Sequence, residues 1–159
     1  AVVRRADLPV LLRRPGILPA HKTLRRILVP LDGSEEALTI LTTIKALALR
    51  TGAELAFLHV SALAPLPRYG EAKASRESKE RLLDLADSLE MSDLASWQTI
   101  AEGDPVEEIL NYARTADADL IAMTTESSAA MAVAERADRA VLFQKVGVPA
   151  HSPKAWKLQ

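Results

Sequence analysis

Residues 103–123 limit the fold most narrowly, because they encode a helix followed by a buried strand, with signals for both ends. Gly103 interrupts the preceding segment, Asp104 is a good N-cap, and Pro105 suits the first helical position, where no backbone donor is lost. Two glutamates then place negative charge in the first turn, where the helix dipole favours it. After a polar turn, the apolar run of residues 120–123 predicts a buried strand.

Three other short segments have the composition of strands: residues 26–31, 55–60 and 96–101. Between the first two we predict a helix that is capped by Ser34 and stopped by Gly52. A Pro-rich loop follows the second segment, so the third is reached only after a long connection.

Two further helices are predicted, one around residues 82–89 and the last over residues 128–145. Strands that alternate with helices of this length are typical of a parallel sheet, because parallel neighbours need helical crossovers. We therefore predict an α/β domain with an open parallel sheet and helices on both faces. In such a fold the ligand site lies at the carboxyl ends of the strands.

The two ends of the chain resemble each other, since residues 6–10 match residues 146–150 and each copy follows a basic residue. We predict that the later copy is the closing strand of the sheet, near Val148, although nearby prolines make it a poor strand. Residues 6–13 are predicted to form a strand that pairs with a sheet edge, in the same chain or in a second copy. A chance match over five positions is the alternative. The strand would bury three apolar side chains: Leu8, Val10 and Leu12.

Composition and charge exclude several classes of protein. The 159 residues, 48% of them hydrophobic, suffice for one domain with a substantial core. A formal net charge of -1 gives no reason to expect nucleic acid as a partner, and no run approaches the ~20 apolar residues of a membrane-spanning helix. The absence of cysteine excludes disulfides and is compatible with the cytoplasmic location that we expect. The basic residues of segment 1–26 are interpreted as linker solvation, with an anionic contact as the alternative.

Other chemistry has little support. The three histidines fall on a linker, a strand end and a tail, and no acidic cluster has metal-ligand spacing. No Gly-x-Ser-x-Gly motif is present. We therefore predict neither catalytic residues nor a metal site.

Residues 24–149 resemble the universal stress protein family, and three stretches carry the resemblance: residues 26–34, 58–60 and 103–123. The resemblance implies a five-stranded parallel α/β domain of the adenine nucleotide alpha hydrolase-like class. Its strand order would be 3-2-1-4, followed by the closing strand. The resemblance also implies a homodimer formed through the terminal strands, and many members of the family carry two such domains in one chain.

On this basis the chain divides into four parts. Residues 1–14 resemble the closing strand of a preceding copy of the domain, although they could equally be a true N-terminus. Residues 15–23 are a linker, residues 24–153 are the domain, and residues 154–159 are a tail.

Family members that bind ATP resemble one another after the fourth strand. They have a glycine, two residues, a second glycine, about nine residues and then a Gly-Ser or Gly-Thr pair at the final helix. Here the glycine positions fall on Thr124 and Ser127, and the pair falls near Arg136 and Ala137. A Cβ atom at each position hinders the approach of phosphate to the backbone, and Glu126 would repel it.

The other side of the expected pocket is better preserved. By resemblance, Pro30, Asp32 and Val60 match positions around the adenine base, but Pro30 and Asp32 are equally suited to ending a strand and starting a turn. Hydroxyl side chains after the fourth strand could bind an anion at a helix start or could instead be helix caps. They belong to four residues: Thr124, Thr125, Ser127 and Ser128.

The sequence therefore predicts a non-enzymatic stress-response domain that acts through dimerisation or a protein partner and uses no cofactor. One alternative is a binding module for AMP, ADP or ATP that uses the surviving base side of the pocket. The other is a slow ATP hydrolase, and the missing glycines count against it.

Overall fold

The computed structural model describes residues 5–16, 23–32, 34, 36, 39–61, 80 and 94–147. Its strands are β1 (Val10–Leu12), β2 (Arg26–Leu31), β3 (Glu54–Ser61), β4 (Ser96–Glu102), β5 (Leu120–Thr124) and β6 (Ala140–Gln144). Its helices are α1 (Ile40–Thr51), α2 (Pro105–Thr115) and α3 (Ala130–Arg136). The predicted helix around residues 82–89 and the tail of residues 154–159 lie outside the described residues.

All six strands form one sheet in the order β1-β6-β5-β2-β3-β4. β2 pairs in parallel with β3 on one side and with β5 on the other, β4 extends the sheet beyond β3, and β6 extends it beyond β5. The five parallel strands therefore have the predicted order, and the α/β class is confirmed. The sixth strand, β1, is antiparallel to β6, so the complete sheet is mixed rather than purely parallel.

Helices cover both faces of the sheet, and each face has its own core. One core contains α1 side chains such as Ile40 and Ile44 packed with Val29 and Phe57 of the sheet. The other contains side chains of α2 and α3 packed with the opposite face of the same strands. Because both faces are covered, β5 is buried at every position, as expected for a central parallel strand.

The helix ends match the sequence signals in two cases. The Asp104 carboxylate accepts a hydrogen bond from the Glu107 N–H at 3.0 Å, with Pro105 directly after the cap. Gly52 ends α1 in the left-handed conformation, with φ of 73°. The cap at Ser34 stays a prediction, because Glu36 is helical but residues 35, 37 and 38 lie outside the described residues. The Ser34 N–H also donates to the Asp32 carboxylate.

The closing strand of the sheet lies earlier than predicted. α3 ends at Arg136, Ala137 is extended, and β6 follows at Ala140–Gln144 instead of near Val148. The physical reason is that residues 141–143 are all buried, with alternate side chains in the cores on the two faces of the sheet. A strand can fill both cores in this way, whereas a surface helix buries only one face. Of the predicted closing segment, Val146 and Gly147 form a turn, and the rest lies outside the described residues.

β1 confirms that part of segment 6–13 is a strand. It pairs within the chain against β6, with Leu11 opposite Leu142, and an ion pair of 3.8 Å joins Lys145 to Asp7 beside it. The predicted burial is wrong for Leu8, which is 59% exposed, and for Leu12, which is 36% exposed. β1 lies at the outer edge of the sheet, and among the described residues Val10 is its side chain that packs against the core.

The attachment of β1 can be tested with two alanine variants. Val10→Ala should lower the free energy of unfolding by about 1 kcal/mol, because it removes part of a half-buried side chain. Leu11→Ala is the matched control and should change it by less than about 0.5 kcal/mol, since Leu11 is 61% exposed. Urea unfolding of both variants measures the difference. Equal losses would mean that β1 is packed differently from the arrangement described above.

Candidate functional site

A cleft of about 70 Å³ opens at the carboxyl ends of the parallel strands, between β2 and β5. This is where the chain reverses its direction of travel across the sheet, because β3 and β4 lie on one side of β2 and β5 and β6 lie on the other. Such a switch point is the usual ligand site of an open α/β sheet. Sites that enclose a drug-sized ligand measure roughly 300–1,000 Å³, so a ligand in this cleft would be only partly enclosed.

The structure brings together six of the seven residues predicted for the site. The cleft is lined by these predicted residues: Pro30, Asp32, Val60, Thr124, Ser127 and Ser128. Thr125 does not line it, because its side chain is buried and its hydroxyl donates to the Glu126 carboxylate at 2.8 Å. The sequence analysis missed five apolar lining residues: Leu31, Leu58, Pro105, Ile109 and Ala129. Leu31, Leu58 and Ile109 were predicted as apolar residues of strands and a helix, and the fold places them at the cleft.

The turn after β2 is built by Asp32. Its Oδ1 accepts hydrogen bonds from the backbone N–H of Ser34 at 2.9 Å and from the Ser34 hydroxyl at 2.5 Å. This is the local bonding that makes aspartate favourable in turns. Asp32 is nevertheless exposed, and its carboxylate lies at the cleft. The structural and the binding interpretations of Asp32 are therefore compatible with each other.

The loop between β5 and α3 is short. β5 ends at Thr124 and α3 begins at Ala130, so five residues, 125–129, connect them. Arg136, near which the Gly-Ser pair would fall, is the last residue of α3. Most of the residues between Ser127 and that position are therefore helical here and do not form an open phosphate loop.

The backbone of this loop does not need glycine. Among the described residues, positive φ outside glycine occurs at Asp117, so none of residues 124–129 has it. The loop is closed by hydrogen bonds from the Ser127 N–H to the Thr124 carbonyl at 3.4 Å and from the Ala130 N–H to the Ser127 carbonyl at 3.1 Å. No side chain caps α3 at Ala129, so the prediction that these hydroxyls cap the last helix is wrong. The N–H groups of Thr125, Ser127 and Ala130 are thus used in backbone hydrogen bonds. Without a residue of positive φ, the loop also lacks the concave arrangement of N–H groups that binds phosphate.

Gln144 holds this loop in place. It is buried at 2% exposure, and its backbone carbonyl accepts a hydrogen bond from the Thr125 N–H at 3.0 Å. Its side-chain amide donates to the Thr39 carbonyl at 3.3 Å and accepts from the Thr43 hydroxyl. One residue therefore fixes the end of β6, the start of α1 and the cleft loop. The sequence analysis placed it in a helix and missed it.

The Glu126 carboxylate points away from the cleft. It accepts a hydrogen bond from the Val146 N–H at 3.3 Å, in addition to the bond from Thr125. This arrangement ties the loop to the turn after β6. The repulsion of phosphate by Glu126 stays a prediction, because its carboxylate is held by these two bonds and does not line the cleft.

The amino end of α2 forms the remaining wall of the cleft. Glu107 pairs with Arg136 at 2.7 Å, which joins α2 to α3. The hydrogen bond from Arg136 to Glu107, with the attraction of the same carboxylate, raises the pKa of Arg136 above its ordinary value. Arg136 is charged at ordinary pH, as every arginine is, and its charge is directed to Glu107.

The described part of the chain contains neither a group of metal ligands nor a membrane-spanning helix. No three histidine or acidic side chains there are grouped as metal ligands. No described helix has the length and apolar character to cross a bilayer.

Comparison with known proteins agrees with this fold. The model of the universal stress protein family matches residues 23–142, and the chain therefore belongs to that family. No curated protein gave a significant match.

Several solved structures are similar. A protein of this family from Burkholderia pseudomallei is 29% identical, with a TM-score of 0.65, over 78% of this chain and 98% of that one. A universal stress protein from Archaeoglobus fulgidus DSM 4304 is 21% identical, with a TM-score of 0.66, over 92% of this chain and 52% of that one. Another from Archaeoglobus fulgidus, solved in complex with dAMP, is 17% identical, with a TM-score of 0.61, over 75% of this chain and 96% of that one.

The role of Gln144 leads to a stability prediction. Gln144→Leu should lower the free energy of unfolding by about 1–3 kcal/mol, because the Thr43 hydroxyl and the Thr39 carbonyl lose a buried partner. Gln98→Leu, at an exposed position of β4, is the matched control and should change it by less than about 0.5 kcal/mol. Chemical unfolding of the two variants compares them. A Gln144→Leu protein as stable as the wild type would contradict the proposed anchoring.

Proposed function

We propose that this chain is a non-enzymatic regulatory domain of the universal stress protein family that binds no nucleoside triphosphate and acts through a protein partner or a second copy of itself. The observation that carries the proposal is the cleft loop. Five residues without glycine and without positive φ replace the loop that would hold a triphosphate. A chain that cannot hold ATP has no means to hydrolyse it, which removes the main support for the hydrolase alternative.

The proposed association uses the edge of the sheet. β6 is already paired on both sides, with β5 and with β1, so a partner strand would pair with the outer edge of β1 or displace β1. The exposed apolar side chains there are compatible with such an interface, since Leu8 and Leu11 are about three-fifths exposed.

Light scattering after size exclusion gives the oligomeric state. A Leu8→Ser, Leu11→Ser double variant should weaken any dimer that uses this edge, and a strictly monomeric wild type would remove the homodimer from the proposal.

ATP binding provides the decisive measurement. Calorimetry with Mg²⁺ and ATP should show no binding in the micromolar range, because the cleft offers neither a phosphate loop nor a lining cation among the described residues. Replacing both Thr124 and Ser127 by Gly should not restore binding, because Glu126 and the alanine-rich start of α3 would remain. Micromolar ATP affinity of the wild type would overturn the proposal.

A second candidate function is a binding site for an adenine compound. It is favoured by the position of Pro30, Asp32 and Val60, which lie together in the cleft and match base-side positions of the family. The similar protein solved with dAMP also supports it. The test is whether the purified protein carries an adenine compound, identified by mass spectrometry after denaturation. If the purified protein carries no adenine compound and binds neither added adenosine nor added AMP, only the partner-binding function would remain proposed.

A further inference from the structure

Two segments of the chain, residues 5–16 and residues 136–147, repeat each other in sequence. The correspondence is longer than the match of residues 6–10 with residues 146–150, and it aligns β1 with β6. Six of the twelve positions are identical: Arg5 and Arg136, Ala6 and Ala137, Asp7 and Asp138, Val10 and Val141, Leu11 and Leu142, and Gly16 and Gly147. The sequence of β1 is therefore a copy of the sequence of β6.

The two segments also share their local structure. Each begins with a helical residue, bends over two residues, continues as a strand and closes in a turn. Each turn contains a glycine of positive φ, with 83° at Gly16 and 81° at Gly147. Glycine adopts such values without steric cost, which gives the shared glycine a conformational reason. Sequence and backbone together identify residues 5–16 as a second copy of the unit that closes the sheet.

β1 and β6 pair about a local two-fold axis. Three residue pairs face each other across the antiparallel ladder: Val10 with Phe143, Leu11 with Leu142, and Leu12 with Val141. The central pair joins two equivalent leucines, and the two outer pairs are interchanged when the two copies are interchanged. This reciprocity is the property of an isologous interface, in which both sides use the same surface. The edge of β6 is therefore complementary to a copy of itself.

β1 is a poorer partner for this edge than a second β6 would be. β6 has five residues and β1 has three, with Pro9, which has no N–H for the ladder, at the position of Ala140. Leu11 is 61% exposed, whereas its equivalent Leu142 is 9% exposed. The ion pair beside the strands is also exposed and adds little to their pairing. A second β6, centred on Leu142, would extend the ladder over the whole strand.

We propose that β1 closes, from within the chain, the edge at which β6 pairs with the β6 strand of a second copy of this domain. The inference rests on the proposed association with a second copy, and it specifies the surface: the second copy displaces β1 and does not add to the outer edge of β1. The two Leu142 residues then face each other, and the two sheets become continuous. The strength with which β1 is held sets how readily the pair forms.

The first experiment compares Val10→Asp with its matched control Leu8→Asp in the full chain. Both variants add the same charge, but Val10 packs against the core and Leu8 is 59% exposed, so only the first detaches β1. Light scattering after size exclusion should show Val10→Asp dimerising at about ten-fold lower concentration than the wild type, and Leu8→Asp at an unchanged one. Val10→Ala should shift dimerisation in the same direction by a smaller factor, and it serves as the test if the aspartate prevents folding.

A cysteine variant identifies the surface that is used. The wild type has no cysteine, so Leu142→Cys combined with Val10→Asp introduces one thiol per chain. Directly opposite Cα atoms of an antiparallel pair are about 4.5–5.5 Å apart, a distance that a disulfide can bridge. The double variant should therefore form a disulfide-linked dimer on mild oxidation. Leu142→Cys alone should form less of it, because Leu11 lies opposite that position.

The outcomes separate this inference from the proposed function. A folded Val10→Asp or Val10→Ala protein that dimerises no more readily than the wild type would overturn the inference, as would a dimer that does not form the disulfide. A wild-type dimer weakened by Val10→Asp would also overturn it, but would leave the association with a second copy in place. A monomeric wild type with a dimeric Val10→Asp variant would support the closure by β1 while removing the homodimer from the proposed function. If no variant dimerises, both fall, and a different protein partner remains proposed.

Discussion

The parallel pairing of β2 with a neighbour on each side is the constraint on which the rest of this structure depends. Parallel neighbours require crossovers that bury both faces of the sheet, and they bring the carboxyl ends of β2, β3 and β5 to one edge. Because the chain moves outward in opposite directions from β2 and β5, a cleft is left between them. The chemistry of the site is therefore decided by the residues that follow each of these strands.

The short connection between β5 and α3 explains why this cleft differs from a phosphate site. Its closure within a turn, its anchoring to Gln144 and its link to Val146 make it a rigid structural loop. A loop that presents several N–H groups to a phosphate must leave them free of internal bonds and must turn through positive φ. Here the same groups stabilise the junction of β5, β6 and α1, so stability and triphosphate binding place opposite demands on one segment.

The placement of acidic residues in α2 follows from the fold as well. Its N-cap Asp104 and the glutamates of its first turn lie where the helix dipole favours negative charge. The parallel arrangement places this end of α2 beside the cleft, which Pro105 and Ile109 line.

The sequence by itself determined the α/β class and the caps at Asp104 and Gly52, because hydrophobic runs and helix signals are local. The order of the five parallel strands and six of the cleft residues were predicted through the resemblance to the family. It did not determine where α3 ends, since the helical spacing of residues 128–145 continues into a strand. Only packing against both faces of the sheet decided that residues 141–143 are extended. The exposure of Leu8 and Leu12, the anchoring by Gln144 and the direction of Glu126 were also decided by tertiary contacts, because each depends on residues far away in the chain.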